Sequence, residues 1–348
     1  MKKVKLGNTG LEASKLGFGA MHLPRISGEE SEKLVNAAID MGINYIDTAR
    51  AYQDSEEKLS RVIPKRRDEV ILTSRAFSWK QGADKFIEDL ETSLKTIKVD
   101  YFDFYGFHSV NKLEELDLIM GKHLELLQKA KEEGKVKHLL ITGHNHLTMA
   151  EAAKKGVFEM IFFPFNVIEQ EPLEKLIPAI QENKIASTIM KPLAGGMIEE
   201  TDLALRFFES HPVDVIVVGM SKMTELVENF RTISERKELT DEELEKLEKS
   251  VEALGKDFCR RCAYCQPCPQ NIMIPFVHMI YQKCYGRELN DDVSYTLQMG
   301  QRLLPSLKQC VECGQCEEKC PYELPTKERI KAIIDMLEGT SATPPSSV

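Results

Sequence analysis

Gly42-Ile43-Asn44-Tyr45-Ile46-Asp47-Thr48-Ala49 reads as a short buried strand that closes on a carboxylate. The same pattern, an apolar run closing on a polar group, recurs in Asp103-Phe104-Tyr105-Gly106-Phe107-His108. It recurs again where Arg75 follows the run 70–73. Working outward, strand-like runs fall at 16–20, 43–47, 70–73, 102–107, 136–141, 160–163, 186–190 and 215–218. Between them lie amphipathic helical patterns at 29–40, 84–97, 118–132, 172–182 and 204–210. Strand and helix alternating eight times over this length predicts an α/β fold, a (β/α)8 TIM barrel. A doubly wound sheet is the main competitor, but no Gly-rich dinucleotide turn follows an early strand.

The segment 237–254 carries a Thr240-x-x-Glu243 capping box and Leu239, Leu244, Leu247 and Leu254 at heptad-like spacing, so it reads as a helix closing the barrel. Beyond it the composition changes. Cys259-x2-Cys262-x2-Cys265-x2-Cys268-Pro269 is followed by Cys310-x2-Cys313-x2-Cys316-x3-Cys320-Pro321. Thiolates two residues apart can turn back onto one centre, and four meet the ligand demand of a 4Fe-4S cubane. The second run has the bacterial ferredoxin spacing in full; the first is one residue short before its last Cys. Zinc needs only two Cys pairs, and disulfides suit small secreted chains rather than one of 348 residues. In two-cluster ferredoxins the Cys before Pro serves the other cluster. That rule groups Cys259, Cys262, Cys265 and Cys320 on one cluster, and Cys310, Cys313, Cys316 and Cys268 on the other. Cys284 is left over. The apolar stretch 274–284 lacks strand alternation and predicts helices between the runs, hence a small helical ferredoxin-like domain.

The expected organisation is a barrel over 1–255, an iron–sulfur domain over 256–338 and a disordered Ser/Thr/Pro-rich tail over 339–348. The hydrophobic fraction of 42% allows a sizeable core. At net charge −9, with Lys and Arg spread along the chain, no basic stripe points to nucleic acid. No apolar run approaches a membrane span, and no signal peptide is recognised, so a soluble cytoplasmic protein is expected.

Catalytic groups of such barrels sit at the C-terminal ends of strands and on the following loops. Asp47, Tyr52, Arg75 and His108 all fall at or just after consecutive strand ends, so they would converge. Singly, each has an ordinary alternative: a helix-capping Asp, a loop Tyr, an Arg paired with a surface carboxylate, a hydrogen-bonded core His.

Residues 1–255 resemble the aldo-keto reductase family. The resemblance rests on Leu6-Gly7-Asn8-Thr9-Gly10-Leu11, the 42–52 segment, Ser55-Glu56, Ser93-Leu94, Asp100-Tyr101-Phe102-Asp103 up to His108, and 217–229. The cysteine module resembles that of a subgroup with ferredoxin-like C-termini. The resemblance implies hydride transfer between NADH or NADPH and a small-molecule carbonyl, with Asp47, Tyr52 and His108 as the family's Asp, Tyr and His and Arg75 where its Lys stands. Tyr52 would donate the proton, helped by a nearby cation. Lys191, ending the seventh strand, is a second candidate cation. Gly219, Ser221, Glu228 and Asn229 carry over as the adenine and pyrophosphate site, and Thr142 and Asn166 fall near the nicotinamide amide. For Thr142 and Asn166, turn hydrogen bonding is the competing role. Two departures stand out. Met190 occupies the place of the stacking Tyr, and Glu225 stands where a carboxylate disfavours a 2′-phosphate, which leans toward NADH; Lys222 nearby could offset it.

Two functions remain open on the sequence. One is a carbonyl oxidoreductase with an electron-transfer module. The other is an electron-transfer or redox-sensing protein, with a redox-protein partner, on a retained barrel. Nicotinamide gives hydride whereas clusters pass single electrons, so coupling them calls for a bridge such as flavin, for which no clear motif is present. In a third reading the clusters are purely structural.

Overall fold

The computed structural model describes residues 1, 3–255, 257–261, 265–285, 291–320 and 322–339. Cys262, and the expected tail apart from Gly339, lie outside the described residues. The chain divides into two compact units, Met1–Val251 and Glu252–Val348.

The first unit opens with an antiparallel hairpin, β1 (Lys3–Lys5) and β2 (Glu12–Ser14). Its turn lies against the start of a barrel strand, with Asn8 N–H donating to Lys184 O at 3.0 Å. Gly7 is needed there, because at φ +49° a Cβ would meet Lys184 O at 2.5 Å. Eight parallel strands then close the barrel: β3 (Leu16–Gly19), β4 (Tyr45–Asp47), β5 (Ile71–Ala76), β6 (Phe102–Phe107), β7 (Val136–Thr142), β8 (Met160–Pro164), β9 (Ala186–Met190) and β10 (Val215–Gly219). Neighbours follow chain order and β10 returns to β3.

The helices are α1 (Gly28–Asp40), α2 (Ser55–Leu59), α3 (Ala83–Ile97), α4 (Leu113–Ile119), α5 (Lys122–Glu132), α6 (His146–Lys154), α7 (Leu176–Glu182), α8 (Thr201–Arg206), α9 (Met223–Glu235) and α10 (Asp241–Gly255). Ser27 caps α1 in a reciprocal box with Glu30. The box expected at Thr240 forms too, with Glu243 N–H on Thr240 Oγ1 at 3.2 Å and Thr240 N–H on the Glu243 carboxylate at 3.0 Å.

Three helical expectations need correction. The pattern over 118–132 is two helices, because Gly121 takes φ −91° and ψ −128° and breaks the run between Ile119 and Lys122. The pattern over 172–182 is a 3-10 turn at Glu171–Leu173 followed by α7. The pattern over 204–210 starts earlier, at Thr201, and tightens into a 3-10 turn at Phe207–Ser210.

The barrel interior is filled by Tyr45, Ile71, Phe104, Leu140, Met160, Phe162, Ala186, Val215 and Val217, with Leu6 and Ala13 of the hairpin region joining them. Successive strand side chains alternate faces. Counting by two from Tyr45, Ile71 and Phe104 therefore puts Asp47, Arg75 and His108 on the inner face at the C-terminal ends. That alternation positions the site.

In the second unit, α11 (Ile274–Cys284), α12 (Asp291–Leu307) and α14 (Thr326–Glu338) pack together, with a short α13 (Gln315–Glu318) before α14. Their core includes Ile274, Val277, Ile280, Val293, Leu307, Ile330 and Ile333. Cys284, unassigned by the cysteine spacing, is a buried member of this core, its thiol 3.8 Å from Val293 O. Among the described residues no helix is long and apolar enough to cross a membrane.

Candidate functional site

Asp47, Tyr52, Arg75 and His108 do meet. Arg75 is 2% exposed and lies at their centre. Its guanidinium forms a two-pronged ion pair with Asp47: Nη1 on Oδ1, and Nη2 on Oδ2 at 3.1 Å. Nη2 also donates to the Tyr52 hydroxyl at 2.7 Å, and Nη1 donates to Thr48 O at 3.1 Å. The guanidinium carbon stands 4.7 Å over the Phe162 ring. Asp47 further accepts from Thr73 Oγ1 at 2.9 Å. Among the described residues, Asp47 caps no helix and Arg75 pairs with buried Asp47 rather than a surface carboxylate.

Tyr52 is placed by its loop. Its N–H donates to Ala49 O and its carbonyl accepts from Ser55 N–H, each at 2.9 Å. Arg50, two residues earlier, is braced by a 2.9 Å ion pair with buried Glu56, and its N–H donates to Arg75 O at 3.0 Å. Burial lifts the Tyr52 hydroxyl above its ordinary pKa; Arg75 pulls it down and Asp47 pushes it up. The expected easing of proton loss by the cation is present, and burial outweighs it.

His108 meets Tyr52 edge-on, ring centres 6.1 Å apart, and lies flat against Phe77 at 3.8 Å. Its Nδ1 is buried with no hydrogen-bond partner among the described residues. Burial first, then Arg75 and Lys80, hold its pKa well below the ordinary value, so the ring is neutral. Trp79 Nε1 donates to His108 O at 2.9 Å and fixes its backbone. Sequence reasoning missed Phe77 and Thr73. Thr73 sits two residues before Arg75 on the same face, a signal that alternation offered.

The remaining expected residues are more dispersed in role. Asn166 is wholly buried, and its amide is committed to the chain itself. Nδ2 donates to Glu169 Oε2 at 2.9 Å and Lys191 O at 3.0 Å, and Oδ1 accepts from the N–H groups of Ile168 and Glu169. Asn166 thus shapes the turn that carries Lys191, whose φ is +57°. Thr142 Oγ1 accepts from Ser109 N–H at 2.9 Å. Gly219 ends β10, and a Cβ there would meet the His22 ring at 3.0 Å. At the start of α9 the Glu225 carboxylate accepts from the N–H groups of Ser221, at 2.7 Å, and Lys222, at 3.1 Å. A carboxylate is therefore already placed on the two backbone amides that lead into α9. Glu228 is exposed and Asn229 is buried, one turn further on.

In the second unit, Cys265, Cys268, Cys310, Cys313 and Cys316 line one small pocket. Among the described residues, no three Cys, His, Asp or Glu side chains close on one point as they would around a single ion. The pocket gathers Cys268 with the first three cysteines of the second run, and Cys265, expected on the other cluster, lines it too. Soft thiol donors spread around such a space fit an iron–sulfur cluster.

A profile of the aldo/keto reductase family matches residues 15–203, and one of a 4Fe-4S dicluster domain matches residues 258–325. The chain belongs to the aldo/keto reductase family. It is an oxidoreductase of that family with a C-terminal 4Fe-4S domain. Among relatives of this aldo/keto reductase, an uncharacterized oxidoreductase of Bacillus subtilis, YqkF, is 26% identical over 303 residues, covering 71% of this chain and 96% of that one. L-galactose dehydrogenase of Arabidopsis thaliana is 25% identical over 283 residues, covering 67% and 88%. Among solved structures, an aldo-keto reductase from Bacillus halodurans in its holo form superposes with a TM-score of 0.64 at 24% identity, covering 72% and 96%. One from Klebsiella pneumoniae in complex with NADPH gives 0.59 at 22%, covering 71% and 94%. These likenesses match the eight-stranded parallel barrel.

Proposed function

We propose that the protein catalyses hydride exchange between a nicotinamide cofactor and a small carbonyl compound or its alcohol, and that its second unit carries two 4Fe-4S clusters for electron transfer. The observation that carries the first part is Arg75 joining Asp47 to Tyr52, with a 2.7 Å bond to the phenol oxygen. When bound, the nicotinamide supplies hydride to the carbonyl carbon. Because Arg75 can only donate, the Tyr52 oxygen accepts its bond and keeps its own proton free for the substrate oxygen. As that proton leaves, the developing phenolate stays against a buried guanidinium. Asp47 holds Arg75 in place. Neutral His108, clamped by Phe77, supplies a polar edge beside Tyr52 without adding a positive charge.

For the cofactor, the Glu225 carboxylate on the Ser221 and Lys222 amides supports NADH over NADPH, although the Klebsiella pneumoniae neighbour was solved with NADPH. Gly219, Ser221, Glu228 and Asn229 are the proposed adenine-side residues, and Thr142 and Lys191 the proposed nicotinamide-side residues. Asn166 acts there through Lys191. For the clusters, Cys310, Cys313, Cys316 and Cys268 are proposed on one centre, and Cys259, Cys262, Cys265 and Cys320 on the other. The domain boundaries near residue 255 and a cytoplasmic setting belong to the same proposal. The test is anaerobic holoprotein with NADH, NADPH and a carbonyl panel, beside iron, sulfide and flavin assays. Turnover with NADH supports the reading, and absence of both turnover and cofactor binding refutes it.

A second reading, an electron-transfer or redox-sensing protein with weak or no carbonyl reduction, is favoured by the self-bonded Asn166 amide and by Glu225 on the Ser221 and Lys222 amides. A redox-active cluster pair in protein that binds no nicotinamide would select it.

A further inference from the structure

Directly after His108 the chain leaves β6 through a left-handed residue. Ser109 has φ +62°, a region that residues with a Cβ rarely adopt. The peptide joining the two is held on both edges. Trp79 Nε1 donates to His108 O at 2.9 Å, and Ser109 N–H donates to Thr142 Oγ1 at 2.9 Å. Val110 N–H then donates to Thr142 O at 2.8 Å, so the turn is tied to the end of β7. Gly143 lets the two loops close, because a Cβ there would lie 2.3 Å from Val110 O.

Asn111 grips the far side of Ser109. It is 8% exposed, and each of its polar groups is bonded. Nδ2 donates to Ser109 Oγ at 2.9 Å and reaches Ser109 O at 3.4 Å, while Oδ1 accepts from His144 N–H at 2.6 Å. Its own N–H donates to Glu115 Oε2 of α4 at 2.8 Å, and its carbonyl accepts from Thr148 Oγ1 of α6 at 3.0 Å. Two helices and the β7 loop therefore fix the amide that holds the turn. A strained backbone persists only where its surroundings over-determine it. If Ser109 relaxed to negative φ, the peptide it shares with His108 would rotate away from Trp79 and Thr142. The His108 ring, edge-on to Tyr52 and flat on Phe77, would move with it.

We propose that Asn111 is a positioning residue for the carbonyl reaction: by keeping Ser109 in its left-handed turn it sets the His108 ring against Tyr52. The inference rests on the proposed place of His108 in that reaction, and Asn111 acts through His108 rather than on the substrate.

The test is steady-state reduction by the full-length anaerobic holoprotein, with NADH and the panel carbonyl that wild type turns over fastest. Emission of Trp79, the one tryptophan, is read beside it in the folded state and in urea. Asn111→Ala is expected to lower kcat by about tenfold with little change in KM, and to alter the folded-state emission. Asn111→Ala combined with Ser109→Gly is the deciding variant, because glycine takes φ +62° without strain and no longer needs the grip. It is expected to recover most of kcat and the wild-type emission, which a general loss of packing at Asn111 would not allow. A wild-type kcat in folded Asn111→Ala, or a double variant as slow as the single, overturns the inference. If Asn111→Ala does not fold, the double variant must both fold and turn over, and its failure to do so overturns the inference. His108→Gln separates the two readings. Slow His108→Gln beside wild-type Asn111→Ala overturns the inference alone. A wild-type kcat in His108→Gln, or wild-type protein without turnover, overturns the proposed reaction at His108 and the inference with it.

Discussion

Arg75→Met should separate what the buried cation does for the fold from what it does for the reaction. Arg75 and Asp47 are nearly inaccessible, at 2% and 3% side-chain exposure. Removing the guanidinium leaves the Asp47 carboxylate with the Thr73 hydroxyl at 2.9 Å and no opposite charge. Breaking a buried pair on one side costs about 3–5 kcal/mol. For the reaction, a phenolate forming at Tyr52 would lose a positive charge about 4 Å from its own. At an effective dielectric near 20 that interaction is worth about 4 kcal/mol, or about a thousandfold in rate.

The protein supplies its own probe. Its one tryptophan, Trp79, is 1% exposed and bonds His108 O, so its fluorescence in urea reports unfolding of the barrel beside the site. Arg75→Met is expected to unfold about 3–5 kcal/mol sooner and to reduce carbonyls about a thousandfold more slowly with NADH. Asp47→Asn in the same chain should recover much of the stability and none of the rate. Arg75→Lys keeps a cation but loses the two-pronged geometry, a stability cost of about 1.5–3 kcal/mol, with reduction at or above the wild-type rate. A wild-type urea midpoint in Arg75→Met would refute the stability argument. A rate within tenfold of wild type would refute the electrostatic role of Arg75.

Gly106→Ala should destabilise the barrel by about 3 kcal/mol or more, because its Cβ would lie 1.6 Å from Leu140 O on the paired strand β7; a urea midpoint equal to wild type contradicts this. Glu225→Gln removes the negative charge from the Ser221 and Lys222 amides before α9 and should tighten NADPH relative to NADH by about tenfold, read by fluorescence titration; an unchanged ratio removes Glu225 from cofactor choice. His278, at about 3 in the folded chain, lies below its ordinary 6.5, so the unfolded state binds the extra proton first. The stability that its neutral burial protects is complete above pH 6.5 and drains as pH falls toward 3. Between pH 6.5 and 5 the loss is about 2 kcal/mol for the helical unit by circular dichroism, and His278→Gln should flatten that slope.

What could be read in advance follows from local rules. Strand alternation and a polar group at each strand end make Asp47, Arg75 and His108 visible, because period-two geometry needs only the strand itself. The convergence of Tyr52 was visible only as proximity in sequence to Asp47; its hydrogen bond depends on how the 48–55 loop is braced by Arg50 and Glu56. Asn166 shows the limit. A buried amide after a strand suggests a ligand contact, yet its four bonds all return to its own turn and to Lys191. The break at Gly121 was hidden because apolar spacing continues through it. In the second unit the cysteine spacing was legible and the Arg329–His278–Thr326 chain was not, since those residues are separated by up to 51 positions and meet only when α11 packs on α14.

The two halves of the proposed chemistry differ in electron count, and this fixes one further outcome. Around Tyr52 the barrel offers proton-handling groups: a phenol, a guanidinium that never deprotonates, and a neutral imidazole. They suit a two-electron hydride transfer accompanied by one proton. Each 4Fe-4S cluster takes one electron at a time, so hydride cannot enter it without a carrier that accepts two and releases them singly. Flavin is such a carrier. NADH added anaerobically to oxidised, flavin-free holoprotein should therefore leave the visible cluster absorbance unchanged over the time of many carbonyl turnovers. Adding flavin should bleach it. Bleaching by NADH alone at the turnover rate would mean that the barrel itself splits the electron pair, and the assignment of Tyr52 and Arg75 to simple hydride chemistry would have to be abandoned.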